Sequence, residues 1–251
     1  LASKRTSQAV NGIFVGAHST STYKNVAASA AVGGGLTLQG TAMVANHAGS
    51  TQVDLTGTNT LNAQKALDLR AGDYTNQNSF LVAGAAGSTA AGVLVNSSNA
   101  NHTTAVKVTG TDATQVAQLT GQTVNITSEG KEGVSTVLAQ GSYGGIAGGV
   151  ATALTKTKSD VSTSLTNVSI GATQATNVTS DFTSNIHGFG LAASVGGASV
   201  AATVVLNQGN NTVTNTLTGT TLRLTLTAMH SGITRLTPHP RGCSLRRVLS
   251  T

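Results

Sequence analysis

The stretch Val53-Asp-Leu-Thr-Gly-Thr58 returns as Val106-Lys-Val-Thr-Gly-Thr111 and again as Val213-Thr-Asn-Thr-Leu-Thr-Gly-Thr220. Between the second and third copies, Leu165-Thr-Asn167-Val168 repeats it with Asn in the Gly position. The four Gly/Asn positions stand 53, 57 and 52 residues apart. Asn best replaces Gly where the backbone turns left-handed, so the exchange supports the alignment. Two further features keep the same order around each anchor. Gly33-Gly-Gly35, Gly84-Ala-Ala-Gly87 with Gly92, Gly144-Gly-Ile-Ala-Gly-Gly149 and Gly196-Gly197 each lead into an apolar segment, at 36–38, 93–95, 150–154 and 200–206. Alternating apolar and polar residues, as in a half-buried strand, follow three anchors at 66–71, 123–127 and 176–179. An ordered set of features recurring every 52–57 residues is an internal repeat of about four units.

Each unit reads as three or more strand-like segments of 4–7 residues separated by Gly, Asn, Asp and Ser turns. Interior Gly, Thr and Val weaken helices, and the Ala-rich stretches 27–31 and 147–154 are flanked by glycines. The expectation is an all-β parallel solenoid in which each turn stacks on the last at ~4.8 Å. A unit is expected to hold two to three turns of roughly 18–27 residues, giving about 9–12 turns and a rod of about 45–60 Å. Small and branched side chains fill the interior, and Thr and Asn form ladders outside. Thr212, Thr214, Thr216, Thr218 and Thr220 mark one solvent-facing strand side.

Composition agrees with this reading. Among 251 residues 41 are Thr and 30 Gly, while charged residues make up 9% and aromatic residues 3%. The low net charge and abundant Val, Leu and Ala exclude a disordered chain, and Gly without a period of three excludes collagen. Of the net charge of +6, residues 1–229 carry +2 and residues 230–251 carry +4. The body therefore lacks the basic stripe that nucleic-acid binding requires. A lone Cys243 forms no disulfide within the chain. The longest uncharged apolar-looking run, Gly190 to Leu206, is broken by Ser194, Gly196, Gly197, Ser199 and Thr203, so no membrane span is expected. No signal-peptide pattern opens the chain, which says nothing about secretion.

Gly-rich, Ala/Val-rich segments leading to Leu-Thr-Gly-Thr and then to Val124-Asn-Ile-Thr127 resemble the repeats of large secreted bacterial adhesins. These are the filamentous-haemagglutinin-like exoproteins and the related leukotoxin-type filamentous adhesins. The resemblance covers residues 25–229 and rests on compositional motifs. It implies a right-handed parallel β-helix exported through an outer-membrane pore, by autotransporter or two-partner secretion, and displayed on the cell surface. This chain is then an internal piece of a longer virulence-associated protein. Residues 1–24 are its leading segment or edge, 25–229 its repeats, and 230–251 a basic tail. That tail, with Pro238, Pro240 and four Arg, reads either as a flexible end or as translation past a frame error. It is expected to be disordered or loosely docked.

No residue qualifies as catalytic, cofactor-binding or metal-ligating. His18, His47, His102, His187, His230 and His239 are scattered, none in metal-ligand spacing with Cys or an acid, and each reads as a surface or turn residue. No Gly-x-Ser-x-Gly elbow or P-loop occurs. Three acid pairs, Asp54/Asp73, Asp112/Glu132 and Asp160/Asp181, stand 19–21 residues apart and would stack if a turn held about 20 residues. The leading expectation is an adhesive or spacing segment, not an enzyme, with no cofactor. Its partners are host or neighbouring-cell glycans or proteins bound weakly and multivalently, and it self-associates through solenoid ends. A polysaccharide-acting enzyme on the same fold and a Thr-ladder, ice-binding-like solenoid are the alternatives.

Overall fold

The computed structural model describes residues 5–224. The basic tail, with Cys243, His230 and His239, lies outside the described residues. Everything regular is parallel strand, and no described residue is helical. In chain order the strands are β1 (Arg5–Ala9), β2 (Ile13–Val32), β3 (Leu36–Thr56), β4 (Asn59–Ala63), β5 (Ala66–Ala86), β6 (Thr89–Thr109), β7 (Ala117–Tyr143), β8 (Ile146–Thr166), β9 (Val168–Val195), β10 (Ala198–Thr218) and β11 (Thr221–Leu224).

Two sheets alternate along the chain. β3, β6, β8 and β10 form one four-stranded sheet, which we call sheet A. The other, sheet B, stacks β1 and β2 on β4 and β5, then β7, then β9, then β11. In sheet A, Leu36 pairs with Thr89, Thr89 with Ile146, and Ile146 with Ala198. Side chains that meet on neighbouring coils, Asn46 with Asn99, Asp68 with Asn125 and Asn125 with Asn177, are 53, 57 and 52 residues apart. These are the spacings of the anchors, so one sequence unit is one coil of a parallel β-solenoid.

This corrects the expected subdivision of each unit. A unit holds one turn, not two to three, and the rod of 9–12 turns does not exist. The described residues form four coils and the start of a fifth. At ~4.8 Å per coil the stack is only about 19 Å tall, whereas a 21-residue strand such as β5 runs about 70 Å. The molecule is a broad, thin slab of two facing sheets.

The anchors occupy equivalent corners, where the chain passes from sheet A to sheet B. Gly57 N donates to Thr109 O, Gly110 N to Thr166 O, and Asn167 N to Thr218 O. Gly57, Asn167 and Gly219 adopt positive φ of 98°, 53° and 57°. Asn167 is the only described non-Gly residue in that region. Asn167→Ala is expected to cost about 1–2 kcal/mol in denaturant unfolding, and Asn167→Gly nothing or less. At Gly110 the corner is replaced by a longer loop over 110–116. Asp112 organises it by accepting hydrogen bonds from Thr114 N, Thr114 Oγ1 and Gln115 N. That insertion accounts for the longer coil. The glycine clusters form the opposite corners, where Gly33 N, Gly87 N and Gly144 N donate to Ala86 O, Tyr143 O and Val195 O of the next coil.

Strand alternation places one set of side chains between the sheets. At the anchor end this interior is apolar. Leu61, Leu119 and Ile170 stack coil on coil, as do Leu69 and Ile126, against Leu55, Val106, Val108 and Leu165 of sheet A. A second, smaller cluster of Leu81, Ala83, Leu94, Leu138, Ala151 and Ala153 lies toward the glycine corners. Outside, the expected ladders form: Asn125 Nδ2 donates to Asp68 Oδ1 and Asn177 Nδ2 to Asn125 Oδ1, with Thr179 donating to Thr127. The outer-facing Thr212, Thr214, Thr216 and Thr218 are exposed.

Candidate functional site

Between the two apolar clusters the interior turns polar, because residues that read as turns in sequence continue as straight strand. From sheet B, Asp73, Thr75, Gln77 and Ser79 point inward; from sheet A, Asn96, Ser98, His102 and Thr104 face them. The next coil adds Glu132, Thr136, Thr155, Thr157 and Ser159. The facing sheet returns hydrogen bonds to some of these buried groups, while both amide atoms of Gln77 and Thr157 Oγ1 have no partner among the described residues. Thr136 Oγ1 meets Thr155 Oγ1 at 3.5 Å, and Ser79 Oγ meets Ser98 Oγ at 3.4 Å.

The ionisable centre of this band joins two sheets and two coils. His102 Nδ1 lies 2.9 Å from Asp73 Oδ2 across the interior, and the two side chains are only 7% and 5% exposed. Thr75 pairs with Glu132 along sheet B, and His102 with Ser159 along sheet A. Ser159 Oγ donates to Glu132 Oε2 at 3.1 Å. Glycines make the room. A Cβ on Gly49 would sit 2.9 Å from His102 Nδ1, and one on Gly130 would strike Val161 and Phe182. Burial pushes the Glu132 carboxyl above the usual carboxylate range, with Asp73 adding to the rise, against the Ser159 hydrogen bond and His102. His102 Nε2 and Glu132 Oε1 have no hydrogen-bond partner among the described residues.

Asp73, His102 and Ser159 bring together the side-chain types of a hydrolytic triad, but not its geometry. Ser159 spends its hydroxyl on Glu132, while His102 turns Nδ1 to Asp73 and leaves Nε2 unpaired. The gap beside them is about 10 Å³, room for about one water and for no substrate. The cluster is thus a sealed polar joint between coils.

Two expectations are corrected here. His102 is neither a surface nor a turn residue. His47 is half-buried within a strand as well, its ring stacked on Tyr23 at 3.7 Å. Burial, then the proximity of His102, pushes the His47 imidazole down. The closely spaced acid pairs do not stack, because a coil is 52–57 residues long. Asp54 lies on the outer side of β3, in register with Lys107, whereas Asp73 is interior. Asp112 belongs to the corner loop and Glu132 to the interior. Asp160 is in register with Thr212 on sheet A, and Asp181 with Glu129 on sheet B.

A second cluster lies on the outer face of sheet B. Glu129 receives Arg70 Nη2 at 2.7 Å, Lys131 Nζ at 2.6 Å and Tyr74 OH at 2.9 Å. Lys131 Nζ also stands 4.9 Å above the Tyr74 ring, and His18 meets that ring edge-on at 4.8 Å. The Lys131 hydrogen bond leads in drawing the Glu129 carboxyl down to about 2. The stability this cluster adds is therefore complete above the ordinary carboxylate range and fades as pH falls through about 2. Glu129→Gln should unfold more easily than the parent at neutral pH, and the difference in urea midpoint should shrink between pH 4 and 2. Sequence reading missed both clusters. Arg70 and Glu129 are 59 residues apart, and Asp73 and His102 sit on facing sheets, so neither pairing is visible until the coil length is known.

Among the described residues, no group of three or more His, Cys, Asp or Glu is arranged to hold a metal ion. Comparison with known proteins finds no family model, no curated protein and no solved structure that matches this chain.

Proposed function

We propose that this chain is a structural and adhesive segment of a secreted or surface-displayed bacterial β-solenoid exoprotein, one that spaces and presents weak contacts and catalyses nothing. The observation that carries this reading is the equivalence of the coils. Both corners of each coil hydrogen-bond to the same corner of the next, so coils add in one direction, with the loop over 110–116 bulging from one corner. A stack of that kind suits a spacer whose affinity comes from repetition. The exposed Arg70 and Lys131 share the single carboxylate of Glu129, and the positive charge left over, beside the half-buried Tyr74 ring, supplies the contacts through which an acidic glycan or protein surface is met. A flat face with few such groups binds each ligand weakly, and many copies bind a cell firmly.

Glycan-array and host-cell binding of the chain, free and displayed on beads, tests this. Free chain should give weak signal, beads strong signal, and Arg70→Ala with Tyr74→Ala should reduce it. Tight monovalent binding of one ligand, or glycan cleavage lost on Asp73→Asn, would contradict the proposal.

A further inference from the structure

The two ends of the slab differ in their outer faces. At the anchor end the outside carries Asp68, Arg70, Asn125 and Thr127, as a half-solvated sheet should. Toward the glycine corners the outside is as apolar as the inside. No Asp, Glu, Lys or Arg occurs in 25–53, 74–106, 133–155 or 182–222, the stretches that include this end. Register alignment turns their outward residues into continuous rows. On sheet B one row is Val26, Phe80, Val137 and Phe189, and another is Val32, Ala86, Tyr143 and Val195. Sheet A carries Gly40, Val93, Val150 and Ala202 in the same way. Phe189 is 61% exposed and Tyr143 67%. Parallel strands apolar on both faces are the mark of a sheet covered on both sides.

The sheet B face also has relief. Between its bulky rows, Gly84 and Gly141 leave open space where a Cβ would stand. The result is a shallow trough of about 400 Å³ running across the coils beside Tyr143. A ridge flanking a trough is self-complementary about a two-fold axis: each copy's ridge enters the other's trough.

We propose that the apolar outer face of sheet B at the glycine-corner end is a lateral interface with a second copy of this chain. Four coils at ~4.8 Å and four outward positions at ~6.6 Å give about 500 Å² of sheet, at the upper end for a free monomer surface. One such face falls below the ~800 Å² per partner of a standard interface, so the dimer of this chain is weak, and each added coil strengthens it. Lipid fits less well. Among the described residues the outermost strands carry unpaired backbone edges, which hydrocarbon does not admit, whereas face-to-face packing leaves those edges in water. This contact is distinct from edge-to-edge growth at the solenoid ends.

Sedimentation velocity of the whole chain over a wide concentration range, with Phe80→Lys/Tyr143→Lys beside it, tests the proposal. The parent should dimerise with rising concentration, and the variant should need at least tenfold more protein. Thr127→Lys/Thr179→Lys, at the polar end, should leave the constant unchanged. Should the double variant lose its strand circular dichroism, the exposed Tyr143→Lys alone serves, with a smaller weakening expected. A parent that stays monomeric throughout, or association equal in parent and Phe80→Lys/Tyr143→Lys, would overturn the proposal. So would flotation of parent monomers with phosphatidylcholine vesicles that the variant abolishes, which would make lipid the occupant.

Discussion

Leu119→Ala is expected to destabilise the chain by about 2–5 kcal/mol, the range for truncating a fully buried leucine. Leu119 is fully buried, with Leu61 below it and Ile170 above in the same column of sheet B. The rigid, hydrogen-bonded ladders on either side prevent the neighbouring coils from collapsing into the cavity, which puts the cost in the upper half of the range. Leu36→Ala, at a position 69% exposed, should stay within about 0.5 kcal/mol of the parent. Urea unfolding followed by circular dichroism separates the two; equal effects would mean that Leu119 is not interior.

The second large effect concerns the sealed polar joint. Asp73→Ala removes one partner of a buried polar pair and leaves His102 Nδ1 with only Thr75 Oγ1 at 3.5 Å, at an expected cost of about 1–3 kcal/mol. Asp73→Ala combined with His102→Leu removes both partners and should recover part of that loss. Glu132 carries the opposite sign. Its raised pKa means that the folded state favours the protonated carboxyl, so its contribution is fully present below the ordinary carboxylate range and is lost as pH rises through the raised value. Glu132→Gln should therefore stabilise the chain at neutral pH, with an advantage that shrinks toward pH 4. Equal melting temperatures of parent and Glu132→Gln at neutral pH would contradict this placement.

The corners were legible in the sequence because corners constrain residue type locally. Gly57, Asn167 and Gly219 need positive φ, and that need surfaces as a repeated Gly/Asn. Strand length was not legible. Asn96-Ser-Ser-Asn-Ala-Asn-His102 has the composition of a turn. In the fold it is the middle of β6, where Ser98 meets Ser79 and His102 Nδ1 meets Asp73 of the facing sheet. Polar runs end strands when water is their only partner. Here the facing sheet supplies one, 19 residues away in sequence where Ser79 meets Ser98. The apolar outer rows are not legible in the sequence for a related reason. Phe80, Val137 and Phe189 are isolated in sequence and become a surface only in register.

Everything in this fold depends on a coil of 52–57 residues. Paired spin labels measure that length directly, in a Cys243→Ser background. Asn125→Cys with Asn177→Cys places labels on adjacent strands, where Asn177 Nδ2 now donates to Asn125 Oδ1 at 2.8 Å. Asn125→Cys with Tyr143→Cys places them far apart on one straight strand, β7, at about 60 Å. Strong dipolar broadening is expected for the first pair, and a separation of about 60 Å for the second. A short distance in the second pair, with the first pair far apart, would mean that the chain turns back within β7 and would contradict the single-turn coil.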